Sequence, residues 1–362
     1  MLYDYVIVGS GLYGATFARL ATDAGKKCIV LESRSHIGGN VYTERRENID
    51  VHMYGPHIFH TNDESIWNFV NRFSEFNNFV YSPKALRDHK LYSLPFNMNT
   101  FYELWGLTTP AEVKLKLEDQ LFKGEPTNLE EQALALVGED VYNLLIKDYT
   151  SKQWQTDPKD LPSFIIKRLP VRFTYDNNYF NDKYQGIPVN GYTNLIENML
   201  EGIPVVTEVD YLEHRAYWDF MSHKIVFTGK IDEFFGYDLG ELQYRTLKFD
   251  HRTFDTDNYQ GIAVINDTGS TNPWTRTIEH KHFNPTLKSD KTIVTWETPD
   301  TWSKDKIPYY PVNDETNNAL FRKYRDRTKD LDRFIFGGRL SEYQYYDMHQ
   351  VIGSAMARFR KE

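Results

Sequence analysis

Residues 3–32 read YDYVIVGSGLYGATFARLATDAGKKCIVLE. An apolar run, Tyr5 to Val8, reaches Gly9-Ser10-Gly11-Leu12-Tyr13-Gly14. A helix-like stretch, Ala15 to Asp23, follows, and a second apolar run, Cys28 to Leu31, ends on Glu32. Strand, glycine turn, helix, strand and acid in this order make up the dinucleotide-binding βαβ unit. Gly9 permits the tight turn, Gly11 lets a pyrophosphate approach the backbone, and Gly14 lets the helix pack close to the strand. The helix N-terminus offers unpaired N–H groups and a partial positive charge to the phosphates. Glu32, eighteen residues after Gly14, is placed to accept hydrogen bonds from a ribose diol.

The segment after Glu32 chooses the dinucleotide. Ser33-Arg34-Ser35-His36-Ile37-Gly38-Gly39-Asn40 sets a second glycine pair close behind the ribose acid, so more backbone can approach the cofactor. It resembles the extended FAD fingerprint of the glutathione-reductase-like flavoproteins rather than the nicotinamide version. Gly9, Gly11, Tyr13, Gly14, Glu32, Ser33, Gly38, Gly39 and Asn40 are the expected FAD contacts of this stretch.

A chain of 362 residues has room for two or three domains and a substantial core. The net charge of −9 argues against nucleic acid or an anionic membrane as partner; an anionic substrate needs a local cluster of arginines. Cys28 is the only cysteine, which excludes an internal disulfide and a cysteine metal cluster; in a buried strand it reads as a small apolar residue. The N-terminus enters a strand at once, with no signal peptide, and no apolar stretch approaches the roughly 20 residues that span a bilayer. The cytoplasm is the expected compartment, without membrane insertion. Aromatic residues make up 15% of the chain, enough both to fill a core and to line a site for flat rings and sugars.

Apolar residues at helical spacing over Pro110 to Phe122 predict a helix, and Asn128 with Glu131 reads as a capped start of the next. Residues 160–185 and 243–300, rich in Thr, Tyr, Phe and Val and broken by Gly, Asn and Pro, predict strands. Short apolar runs in 203–236 and the strand and glycine turn Phe334 to Arg339 return to the nucleotide-binding fold, and a helix is expected from Asp347 to Arg360. The fold class is thus α/β, with discontinuous domains.

The segments YGPHIFHTN (54–62), SLPFNMNTF (93–101), YTSKQW (149–154), LPVRFTYDNNYF (169–180), YQGIPVNGYT (184–193), TRTIEHKHF (275–283), PYYPVND (308–314) and FGGRLSEYQYYDMHQV (336–351) resemble UDP-galactopyranose mutases, in order and with similar spacing, over essentially the whole chain. The resemblance implies a Rossmann-like FAD-binding domain with an inserted helical bundle and a twisted antiparallel sheet. Residues 1–80, 195–240 and 330–362 are assigned to the first, 100–155 to the bundle with its mobile lid, and 81–99, 160–194 and 243–325 to the sheet. It implies an isomerase that interconverts pyranose and furanose forms of a nucleotide sugar, UDP-galactopyranose first, for cell-surface polysaccharides such as O-antigen. FAD must be reduced: its N5 attacks the anomeric carbon, displaces the nucleoside diphosphate and forms a flavin iminium. A homodimer is expected from bacterial relatives.

By the same resemblance, Arg172 and Arg276 hold the diphosphate, which suits bidentate guanidinium groups. Tyr310 and Tyr345 take the phosphate and sugar side, Tyr149, Thr150 and Trp154 lie on the lid, and Tyr179 and Phe180 sandwich the uracil. Asn266 and Tyr81 complete the substrate pocket. Arg339, Tyr346, Asp347, Met348, His57 and Ile58 complete the flavin site. His57 and His60 have HxxH spacing, but no third metal ligand is apparent and the mechanism needs none, so no metal is expected. His60 is grouped with the catalytic residues, and a histidine here has a pKa suited to proton shuttling. Four positions depart from the family pattern: Tyr81 for an asparagine, Asn272-Pro273-Trp274 before Thr275-Arg276, Trp296 for a lysine before Glu297, and Asp267 for an aromatic after Asn266. Together they predict a more apolar sugar pocket, which favours a 6-deoxy sugar such as dTDP-fucopyranose as the alternative substrate. A conventional FAD oxidoreductase, sharing only the N-terminal fingerprint, is the second alternative.

Overall fold

The two apolar runs flanking the glycine turn lie side by side as parallel strands. In the computed structural model, which describes residues 2–167 and 169–362, Tyr3–Val8 pairs with Cys28–Leu31 on one side and with Ser222–Phe227 on the other. Phe334–Phe336 and Val205–Val206 complete a five-stranded parallel sheet. Parallel sheets need cover on both faces, and this one has it. The helices Leu12–Asp23 and Met348–Phe359 pack together over one face, around Ile7, Phe17, Val30 and Ile352. Tyr211, Phe227 and Phe234 fill the other. Cys28 is buried, and burial pushes its thiol up to about 11, so it is an inert core residue.

The second sheet has seven strands in the order Tyr310–Pro311, Tyr244–Phe254, Thr292–Asp300, Arg276–Glu279, Val264–Asp267, Lys84–Arg87 and Lys90–Ser93. It is mixed rather than antiparallel throughout, because Val264–Asp267 runs parallel to Lys84–Arg87. Those two strands are joined by a long excursion through the bundle and the first sheet, so no hairpin forces them antiparallel. Residues 160–183, expected as strands, contribute none to this sheet. The described residues form short 3₁₀ turns at Pro158–Asp160 and Ser163–Ile165 and isolated bridges from Pro162 to Asn128 and from Val171 to Phe96, and the strand Tyr184–Gly186 that follows pairs with Phe59–Thr61. Pro162 and Pro170 remove ladder donors, and Tyr179 and Phe180 meet edge to face, with Phe180 stacked between His60 and Tyr81 instead. Gly191–Met199 is a helix packed beside Leu12–Asp23, and Glu315–Thr328 is a helix beyond the last strand, so the sheet is narrower than 160–194 and 243–325 suggested.

The bundle contains Met98–Trp105, Pro110–Glu118, Leu129–Val141 and Lys147–Trp154. The second stops short of Phe122 because Gln120 turns back to Asp140, taking its N–H on Oε1 at 3.0 Å. Asn128 caps Glu131 N–H at 3.0 Å, and the Glu131 carboxylate reaches past it to Thr127 N–H at 2.8 Å. A π-helical turn, Tyr142–Ile146, joins the last two helices; such turns shift the face a helix presents, here just before Tyr149. Among the described residues no helix is long and apolar enough to cross a membrane.

Candidate active site

A cavity of about 280 Å³ opens where the parallel strands end, at Val8, Leu31 and Phe227. That is where open parallel sheets bind ligands. Gly9 sits at φ +99°, and a Cβ there would lie 2.2 Å from Thr228 Oγ1. A Cβ on Gly14 would lie 2.0 Å from the Gly9 carbonyl oxygen, so the helix packs against the turn as expected. At Gly11 a Cβ would meet nothing nearer than Gly39 Cα at 4.0 Å, which leaves the backbone open to the cavity. Glu32 is held by Ser10 N–H (3.0 Å), Ser10 Oγ (2.6 Å) and Arg34 N–H (3.0 Å), with its carboxylate at the cavity wall. Arg34 Nη1 is buried with no partner among the described residues. The residues expected to contact FAD line this cavity, with three exceptions. Ile58 is core, Tyr346 packs against the core with its carbonyl accepting from Arg339 Nη2 (2.7 Å), and Asp347 starts the last helix, its N–H donating to Gln350 Oε1 (2.8 Å). Val209, Thr228 and Pro308 also line the cavity and were not foreseen; nothing in their types or spacing marks them.

His57 borders the same cavity. Its Nδ1 lies 2.7 Å from the Gly55 carbonyl, so Nδ1 carries the hydrogen and Nε2 is left as acceptor. Burial first, then the charges of Arg339 and Arg276, lower its pKa to about 4. It is therefore neutral near pH 7 and not tuned for the shuttling that its type suggested.

Arg276 begins the central strand Arg276–Glu279, opposite Asn266 on one side and Glu297 on the other. Its Nε lies 3.0 Å from Glu297 Oε1, and its side chain keeps 18% of its surface exposed. Burial alone would lower its pKa, but Glu297, Tyr149, Tyr81 and Tyr310 hold it well above the usual value, so the guanidinium is always charged. No hydrogen bond of good geometry engages its guanidinium among the described residues, Nε included, so the contact with Glu297 is an ion pair, and Asn266 Oδ1 beside it is buried without a partner. Tyr310 and Tyr345 stack at 4.8 Å, and Arg339 lies 5.5 Å over Tyr310 while donating to the Tyr309 carbonyl at 3.1 Å. Arg276, Tyr81, Tyr149, Tyr310, Tyr345 and Asn266 thus converge. Tyr81 continues the wall to Tyr179 (5.2 Å) and Phe180 (5.7 Å).

Arg172 does not join Arg276 as a second free guanidinium. Its terminal nitrogens donate to the carbonyls of Asp176, Asn178 and Tyr179 and to Asn181 Oδ1. An arginine offers several donors to nearby carbonyls, and the irregular segment that replaces the expected strands supplies them. His60 also lies apart from Arg276. It stacks on Phe180 at 3.8 Å and its Nδ1 bonds Asp182 at 2.7 Å. The HxxH pair does not converge, but His60, Asp347 and His349 place ligand atoms within 4.8 Å of one another, a grouping that His349's distance in sequence concealed. Trp296 points away from the pocket: strand side chains alternate, and next to inward Glu297 it packs outside against Phe254, Tyr259 and Arg252. Asp267 binds Lys152 rather than facing the sugar. Arg245, which was not foreseen, lies opposite Tyr310, 4.7 Å over the Trp154 ring, and donates to the Trp154 carbonyl.

Residues 144–345 match the family model of UDP-galactopyranose mutase, and residues 7–73 match that of an NAD(P)-binding Rossmann-like domain. The chain belongs to the UDP-galactopyranose mutase family. It is 40% identical to a dTDP-fucopyranose mutase of Escherichia coli, over 97% of this chain and 96% of that one. It is 38% identical to a probable UDP-galactopyranose mutase of Klebsiella pneumoniae, over 98% and 93%. The crystal structure of a reduced UDP-galactopyranose mutase superposes with a TM-score of 0.74, covering 99% of this chain and 93% of that one at 13% identity, which shows a common fold. As a member of this family the protein is an isomerase with FAD as cofactor. The open backbone at Gly11, the prepared Glu32 carboxylate and the unpartnered Arg34 Nη1 fit that cofactor.

Proposed function

We propose that this enzyme interconverts the pyranose and furanose forms of a nucleotide-linked galactose, with UDP-galactopyranose as substrate. The reading rests on the surroundings of Arg276: a permanent cation, largely desolvated, ringed by tyrosines and with its terminal nitrogens uncommitted. Gly11, Glu32, Arg34 and Arg339 hold the cofactor, and reduced FAD, when bound, supplies the nucleophile that takes the sugar from its diphosphate. Arg276 binds the diphosphate and stabilises it as it leaves, with Glu297 beside it as counter-ion. The stacked Tyr310–Tyr345 pair stands beside that cation. Arg172 shapes the loop that presents Tyr179 and Phe180 to the base. His57, neutral, accepts a hydrogen bond on Nε2 without changing charge. The helix Lys147–Trp154, carrying Tyr149 and Trp154, covers the pocket and keeps water from a reactive sugar.

A second reading concerns the sugar alone. Tyr81, buried beside Arg276, places an aromatic ring in the pocket, and the relative from Escherichia coli is named dTDP-fucopyranose mutase. A ring in place of a hydrogen-bonding side chain favours a 6-deoxy sugar. The purified flavoprotein is incubated with UDP-galactofuranose or dTDP-fucofuranose, with and without dithionite, and the pyranose product is resolved by chromatography. Turnover of UDP-galactofuranose after reduction only is expected. Exclusive turnover of dTDP-fucofuranose establishes the second reading, and turnover of neither overturns both.

A further inference from the structure

Lys152 lies on the covering helix Lys147–Trp154, between Tyr149 and Trp154. Its side chain is 13% exposed and turns away from solvent into the connection between the strands Val264–Asp267 and Arg276–Glu279. There its ammonium donates to Asp267 Oδ1 (3.1 Å), the Asp267 carbonyl (2.9 Å) and the Trp274 carbonyl (2.9 Å). An ammonium has three donors, and all three are used. Asp267, 8% exposed, is organised in turn: its carboxylate accepts from Gly269 N–H (3.1 Å) and Asn272 Nδ2 (2.7 Å). The connection is thus folded around one cation donated by the helix. It also leads directly into Arg276, two residues after Trp274. A second tie lies one turn earlier, where Arg87 bridges Asp148 (2.7 Å) and the Thr268 carbonyl (2.6 Å).

We propose that Lys152 and Asp267 are positioning residues that hold the helix bearing Tyr149 and Trp154 closed over the substrate and couple that closure to the placement of Arg276. The inference rests on the mutase reading of the pocket. Neither residue touches the reacting atoms; the pair acts through where it puts Tyr149 and Arg276. Opening the pair lowers the fraction of protein in the binding-competent state, so apparent affinity falls by that fraction while the chemistry of closed molecules is unchanged.

The test uses the FAD-loaded full chain as Lys152→Met, Asp267→Asn and the double variant. kcat and KM are measured on the furanose sugar that the wild type turns over, and UDP affinity is followed by tryptophan fluorescence. Each single variant is expected to raise KM and the UDP Kd roughly tenfold, the size of one lost charged hydrogen bond, with kcat changing less. The double variant is expected to be no worse than the worse single, because each single already breaks the pair. Asp267→Asn, nearly the same shape, decides if Lys152→Met fails to hold FAD. KM and UDP Kd within twofold of wild type, equal losses in kcat, or additive single effects overturn the inference. A wild type that binds UDP but turns over neither sugar instead sinks the mutase reading, and the UDP titration still reports on the pair.

Discussion

Four histidines form a chain beneath the flavin cavity, and it should make the fold sensitive to acid. His52 and His280 are each 1% exposed. His52 N–H donates to His280 Nδ1 at 3.2 Å, and His57 N–H donates to His52 Nδ1 at 3.0 Å. Thr295 Oγ1 lies 2.7 Å from His280 Nε2 and 2.6 Å from His251 Nδ1. Each accepting Nδ1 needs its lone pair, so both buried rings are neutral. Burial, with His57 nearby, lowers His52 to about 3; burial, with His52 and His251, lowers His280 well below its ordinary value. In the unfolded chain both titrate near 6.5. Below that pH the unfolded state binds more protons, so stability falls with pH, starting near 6.5 and levelling only below the folded values. At pH 5 the unfolded form of each ring gains about 2 kcal/mol, so His52 costs about 2 kcal/mol between pH 8 and pH 5 and the two together up to about 4 kcal/mol. Urea midpoints at saturating FAD across that range measure the slope. His280→Gln keeps an acceptor and a donor but cannot titrate; its stability at pH 8 should be lower, and its loss on going to pH 5 smaller, by up to about 2 kcal/mol. Parallel curves for variant and wild type would refute the assignment of this slope to the buried rings.

The glycine turn and the pocket give three further expectations. Gly14→Ala drives a Cβ to 2.0 Å from a backbone oxygen, so purified protein should lose its yellow colour and melt several degrees lower, about the effect of 1–3 kcal/mol of overpacking; full FAD retention by absorbance speaks against the close helix–turn contact. Arg276→Ala should lower turnover by at least roughly 10²-fold, the scale of losing a key charge donor to the transition state, with FAD content unchanged; a near-normal rate removes Arg276 from the diphosphate site. Tyr81→Asn should shift kcat/KM toward the galactose over the 6-deoxy sugar by roughly tenfold, about 1–3 kcal/mol of pocket discrimination, and an unchanged ratio for the two substrates dismisses Tyr81 as a determinant.

The nucleotide-binding half was readable because its signals are local. Gly9, Gly11, Gly14 and Glu32 act within one strand–turn–helix–strand unit, and steric demand at Gly14 and openness at Gly11 appear where the motif requires them. Arg276 and its tyrosines were legible through resemblance, and the structure gathers them from two strands, one helix and the loops that carry Tyr81 and Tyr345. The failures share a cause. Residues 160–183 carry strand-like composition, yet prolines and the carbonyls gathered by Arg172 hold 169–183 as irregular loop, a tertiary outcome that composition does not encode. Trp296 was counted with the sugar pocket because it replaces a lysine of the family pattern, but one step along a strand from inward Glu297 is the opposite face.

Of the four departures from the family pattern, the structure leaves one, Tyr81, with its ring beside Arg276. Asp267 works on the covering helix, Trp296 on the outer face of the sheet, and Trp274 through a carbonyl that accepts from Lys152. The case for a more apolar sugar site therefore narrows from a trend across four residues to a single ring against Arg276. Arg276 and the stacked tyrosines are common to both candidate substrates and cannot decide between them. Discrimination between a hydroxymethyl and a methyl group at the sugar's far end has to come from what Tyr81 and the unpartnered Asn266 Oδ1 offer there. A buried acceptor without a partner costs about 1–3 kcal/mol, and a substrate hydroxyl satisfies it where a methyl group does not. Tyr81 and Asn266 thus pull the preference in opposite directions, and the sign of the ratio measured for Asn266→Ala reports which of them prevails in the wild type. A shift toward the 6-deoxy sugar means that Asn266 was holding the galactose hydroxyl; no shift leaves Tyr81 as the sole arbiter.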